Sequence, residues 1–155
     1  MLGRNSYTPQ ELEHARSAVE QQLAAYRALA DAIERTPAVP ELTSALEALE
    51  PLYFNNMALV LDRYFVHRVR MVAGKDGNPL NEIELISDSL INHDGVLRGN
   101  TVIKLVPGQT VLKLDIGDRI ALGAAQFERL AHAFLEEIEA KFVAPGIERA
   151  PTVGW

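Results

Sequence analysis

Four polar side chains in the run NNMALVLDRYFVHRVR, Asn55 to Arg70, have the types and the spacing to hold an anion. At 100° per residue, Asn56, Arg63, His67 and Arg70 fall within about 60° of one another on a helix. Two guanidiniums supply forked donors for an oxyanion, and an imidazole adds a donor whose charge follows pH. The competing reading is a solvent-facing helix side, or a ridge neutralised by Glu82, Glu84 or Asp88. Arg68 falls instead inside the aromatic sector of the same helix, near Leu61 and Tyr64. A guanidinium there needs a carboxylate or a route to water. An acid of the following helix is the expected partner, and a structural pin or part of a subunit interface the expected role.

Other constellations carry less chemistry. Glu128, His132 and Glu136 recur every four residues in ERLAHAFLE, a spacing that can share a metal ion. Their helical angles turn away from Phe127, so a solvated face is expected. Glu11 and His14 repeat the Glu-x-x-His spacing of di-iron bundles, which need a second copy and two further glutamates. Asp76 and Asn78 match the first and third ligands of a calcium loop, but Leu80, Asn81 and Ser87 break the pattern. No metal and no cofactor are therefore expected. Ser89, His93 and Asp94 lie close in sequence, yet a capped helix end explains them as well as a hydrolase would. No serine sits in a Gly-x-Ser-x-Gly elbow, and AGKDGN lacks the spacing and hydroxyl of a phosphate loop.

These residues must be positioned by a mainly helical (α+β) chain. Thr8, Pro9 and Glu11 open a first helix whose apolar stripe runs Leu12, Ala15, Val19, Gln22, Tyr26, Leu29 and Ile33. Pro37 and Pro40 end it. A second helix is predicted from Pro40 to Ala73, kinked or divided at Pro51. Its wide apolar sector, with Tyr53, Phe54, Met57, Leu61, Tyr64, Phe65 and Val72, predicts neighbours on several sides. The stretch from Gly74 to Asn100 reads as a joint, with turns at Asp76-Gly77 and Asp94-Gly95 and a short helix from Leu80 to about Ile91 capped by Asn78. The β-branched run TVIKLVPGQTVLKLDIGDRIAL predicts a hairpin of Thr101–Val106 and Thr110–Asp115, with a third strand at Arg119–Leu122. A last helix from Ala124 to Val143 buries Phe127, Leu130, Ala131, Phe134, Ile138 and Phe142. The expected architecture is an antiparallel helical bundle at 1–143, with a β-hairpin at about 101–122 before the C-terminal helix and an extended tail at 144–155.

Composition narrows the function classes. In 155 residues, 48% are hydrophobic and 23% charged, an ordinary globular balance. Acids outnumber bases 21 to 15 for a net charge of −6, which argues against a broad nucleic-acid surface. The chain has no cysteine, so disulfides and thiolate chemistry are excluded. No membrane span or signal-like apolar run is read, and a cytoplasmic location is expected. The leading expectation is a non-enzymatic interaction or ligand-binding protein acting as a homodimer through its central helix. The alternatives are a small-anion site at Arg63, His67 and Arg70, covered by Lys75–Asn81, and a hydrolase using His93 or His132.

Overall fold

A computed structural model describes residues 3–143; the tail at 144–155 lies outside the described residues. Five α-helices carry the fold: α1 (Pro9–Glu34), α2 (Pro40–Tyr64), α3 (Arg70–Ala73), α4 (Pro79–Asn92) and α5 (Ala124–Ile138), the last running into a π-helical turn, Glu139–Val143. Helices α1, α2, α4 and α5 pack on one another around a single apolar cluster.

Thr8 opens α1 with a capping box, its hydroxyl accepting from the Glu11 N–H while the Glu11 carboxylate accepts from the Thr8 N–H. Leu12, Ala15, Val19, Leu23 and Tyr26 are buried. Beyond Tyr26 the stripe leaves the core: Leu29 is exposed, and no residue is buried again until Phe54. The end of α1 and the start of α2 thus bury little, although Ala30 and Leu46 still pack against the cluster and Glu50 accepts from the Ala124 N–H. The α5 stripe matches its periodicity throughout, with Phe127, Leu130, Ala131, Phe134, Ile138 and Phe142 all buried.

Two sequence expectations are corrected. Helix α2 passes through Pro51 but stops at Tyr64 rather than Ala73. Arg68 accounts for the stop. Its Nη1 donates to the Phe65 carbonyl and its Nη2 to Asp62 Oδ1, at 2.9 and 2.8 Å. The side chain therefore folds back and caps the last turn of the helix that it was expected to extend. Residues 65–67 form a turn, and Arg68 then pairs in parallel with Arg4: the Arg4 N–H donates to the His67 carbonyl and the Val69 N–H to the Arg4 carbonyl.

The second correction concerns the β-hairpin, which does not form. The described residues contain isolated bridges and no named strand. The donors that a ladder needs are captured by other acceptors. Val111 and Leu112 donate their N–H groups to the Glu82 carboxylate at 2.9 and 3.0 Å. Val102 and Ile103 donate to Asn100 Oδ1, and Lys104 donates to the Lys75 carbonyl. Pro107–Gln109 forms a 3-10 turn, and Lys113 takes a left-handed φ of 55°. The segment runs as a strap over α4. Its one antiparallel pairing joins Gly95–Leu97 to Gly117–Ile120.

Candidate functional site

The polar ridge expected on one continuous helix is divided by the early end of α2. Asn56 is exposed on the outer face of α2, about two turns before Arg63. Arg63 stays in the last turn, His67 moves to the turn that follows the helix, and Arg70 begins α3. The fold nevertheless brings the last three together. Arg63, His67, Arg68 and Arg70 line an open basin of about 330 Å³ with Asp62, Phe65, Val66 and Glu84. Asn56 is not part of it.

Charge within the basin is partly cancelled. Arg68 is only 7% exposed along its side chain and pairs with Asp62 at 2.8 Å, while its guanidinium lies 5.3 Å from the Phe134 ring centre. Its partner is thus an acid of its own helix end, not of the following helix as the sequence suggested. Arg70 is held three ways, by the Gly74 carbonyl, Asn81 Oδ1 and Glu84 Oε1, the last at 2.6 Å. That arrangement clamps α3 to α4. Among the described residues Arg63 makes no ion pair. Three arginines against two carboxylates leave one positive charge in the basin before His67 is counted.

His67 sits at φ 63°, a left-handed conformation that side chains other than glycine seldom adopt. Its backbone is held there by the Arg4 bridge, and Tyr7 fixes the neighbouring turn through a 2.6 Å bond from its hydroxyl to the Val66 carbonyl. Strain of this kind costs about 1–3 kcal/mol and persists only where surrounding contacts enforce it.

The 74–81 joint does not cover the basin. Asn78 caps α4, its side-chain oxygen accepting from the Leu80 and Asn81 N–H groups. Its amide nitrogen donates to the Ala73 carbonyl and Asp76 Oδ1. Lys75 and Asp76 point their backbones at the strap instead, through the Asp76–Lys104 bridge. The joint's polar composition is therefore spent on turns and a cap.

The side chains of the other constellations have different partners. The buried Ser89 hydroxyl accepts from the Arg98 N–H, and His93 Nε2 lies 3.3 Å from Asp88 Oδ2. His132 is exposed, and Glu128 pairs with Arg27 at 2.7 Å. No group of three or more potential metal ligands occurs among the described residues.

Sequence reasoning missed two features. Glu82 reads locally as a first-turn acid favoured by the helix dipole, yet it is 4% exposed and anchors the strap. Burial pushes its carboxyl above the usual carboxylate range, against the opposing pull of the Leu112 and Val111 amides. The second is the outer face of α2. Leu42, Ala45, Leu49, Leu52, Asn56, Val60 and Arg63 lie within about 80° of helix circumference, and all seven are exposed. The heptad spacing of Leu42 to Leu49 and Ala45 to Leu52 was a legible signal.

Comparison of the chain with protein-family models, with curated proteins and with solved structures finds no match in any of the three. Among the described residues no helix is long and apolar enough to cross a membrane.

Proposed function

We propose that this is a non-enzymatic interaction protein of the cytoplasm that works as a homodimer, joined through the outer face of α2. The observation that carries this reading is the exposed stripe of α2, where Leu42, Leu49 and Leu52 are 41, 41 and 67% exposed. The end of α1 and the start of α2 bury no side chain between Arg27 and Tyr53, and helices depend on packing for most of their stability. An apolar stripe left in water there is a surface built to be covered.

Charge favours a second copy as the cover. The first turn of α2 carries an acid, Glu41, and its last turn a base, Arg63. The two are equally far along the chain from Leu52. An antiparallel pairing of two α2 helices centred on Leu52 sets Leu52 against its own copy. It brings Glu41 of each copy to the level of Arg63 in the other, and it opposes the two helix dipoles. The absence of cysteine suits a reducing compartment.

Sedimentation velocity tests this. The native chain is expected at twice its 17.1 kDa mass at tens of micromolar, and Leu52→Glu, at an exposed position, is expected to sediment as a folded monomer. Glu41→Arg should weaken the pair, and Glu41→Arg combined with Arg63→Glu should recover it. A native chain that stays monomeric, or a Leu52→Glu variant that stays dimeric, overturns the reading.

A further inference from the structure

The basin at the end of α2 and the proposed dimer face share one residue, Arg63, and that sharing has a chemical consequence. We infer that the basin lined by Arg63, His67 and Arg68 is an oxyanion site. Without free anion it takes the Glu41 carboxylate of a second copy, and a small free oxyanion of the phosphate class competes for the same guanidinium and loosens the dimer. The inference rests on the dimer reading for its second half and on the basin's own geometry for its first.

The basin is suited to one modest anion. Its acids are already engaged: Asp62 is bound to Arg68, and Glu84 to Arg70. What remains, among the described residues, is a single unpaired guanidinium, that of Arg63, whose forked donors match the oxygen pairs of carboxylates and phosphates alike. The cleft is open to solvent and lined by polar groups around Phe65 and Val66, so an incoming anion keeps part of its water. That predicts affinity in the millimolar to high micromolar range rather than a tight, enclosed site. His67 lies on the rim in its enforced left-handed turn. The bridge to Arg4 fixes its backbone there, so the basin's shape is set before any ligand arrives. Arg70, by contrast, cannot turn to the ligand without breaking its bonds to Gly74, Asn81 and Glu84.

The same groove meets the proposed interface on one side only. Arg63 closes the exposed stripe of α2, whereas His67 and Arg68 lie beyond the helix end. An anion held by Arg63 in the basin therefore removes the ion pair at each end of the antiparallel seam but leaves the Leu49 and Leu52 contact in place. Screened surface pairs contribute little individually. Losing two of them corresponds to a weakening of dimerisation of about tenfold, not to its abolition.

The test uses inorganic phosphate, with chloride matched in ionic strength. In the Leu52→Glu monomer, nuclear magnetic resonance titration is expected to show saturable shifts confined to residues 62–70, and Arg63→Gln in that background is expected to remove them. In the native chain, sedimentation is expected to show about tenfold weaker dimerisation in phosphate than in matched chloride. An absence of saturable shifts in Leu52→Glu overturns the anion site. Saturable shifts with a native dimer indifferent to phosphate overturn the competition for Arg63. A native chain that is monomeric in chloride overturns the dimer reading and the competition with it, while the Leu52→Glu titration separately decides the anion site.

Discussion

Replacing Glu82 by alanine removes the anchor of the whole strap, and the structure sets the size of the effect. The carboxylate is buried and accepts from the Val111 and Leu112 amides at 2.9 and 3.0 Å. Each half-buried amide left without an acceptor costs about 1–3 kcal/mol. Relief of the desolvation that the ionised carboxylate suffers offsets part of that loss. A net destabilisation of about 2–4 kcal/mol at neutral pH follows. The pH dependence has a definite sign. Burial raises the folded-state value of this carboxyl above its ordinary 4.5, so the folded protein holds the proton more tightly than the unfolded chain. Wild-type stability from this group is therefore fully present below pH 4.5 and declines as pH rises through the raised value. The alanine variant lacks that decline, so the difference between the two proteins is largest in acid and shrinks toward neutrality. Glu82→Gln keeps one acceptor oxygen and should cost less than alanine while losing the same pH dependence. Urea unfolding followed by circular dichroism from pH 4 to 8 measures both quantities. Amide exchange at Val111 and Leu112 should quicken by about a hundredfold in the alanine variant. A cost below about 1 kcal/mol, or a difference that grows with pH, would refute the assignment of Glu82 as the strap's anchor.

Two other perturbations probe the ends of the bundle. The Arg4 guanidinium bonds both oxygens of Glu11 and holds its carboxyl down to about 2, against an ordinary 4.5. Its contribution is thus present above pH 4.5 and lost as pH falls toward 2. Both side chains are over a third exposed, which limits the pair to about 1 kcal/mol. Wild type should exceed Glu11→Gln by that margin at pH 7 and match it near pH 2, and a gap that is constant across this window sinks the argument. Asn78→Ala removes the α4 cap together with the bond to the Ala73 carbonyl, a loss of about 1–3 kcal/mol by urea titration; a loss below about 0.5 kcal/mol would mean that the cap is replaced by water.

What the sequence determined by itself is the set of elements whose causes are local. The Thr8-Pro9-Glu11 start of α1, the Asn78-Pro79 start of α4 and the α5 stripe from Phe127 to Phe142 follow from capping chemistry and helical period, which act within a few residues. The Asn78 cap and its turn were legible for the same reason, since Asn78 and its neighbours spend their polar groups locally. Long-range competition decided the rest. Nothing near Val111 and Leu112 marks them as partners of Glu82, so the β-branched run between Thr101 and Leu122 read as a hairpin. A buried carboxylate some thirty residues earlier took the amides that a ladder would have used. Nothing within α2 requires it to stop at Tyr64; the Arg68 guanidinium folding back on Asp62 and Phe65 does that, with Arg4 bridging from the other end of the chain. The basin follows from that stop. Arg63, His67 and Arg70 meet because the chain bends between them, not because they share a helix face, and only the folded molecule could set Glu84 against Arg70 while leaving Arg63 unpaired among the described residues.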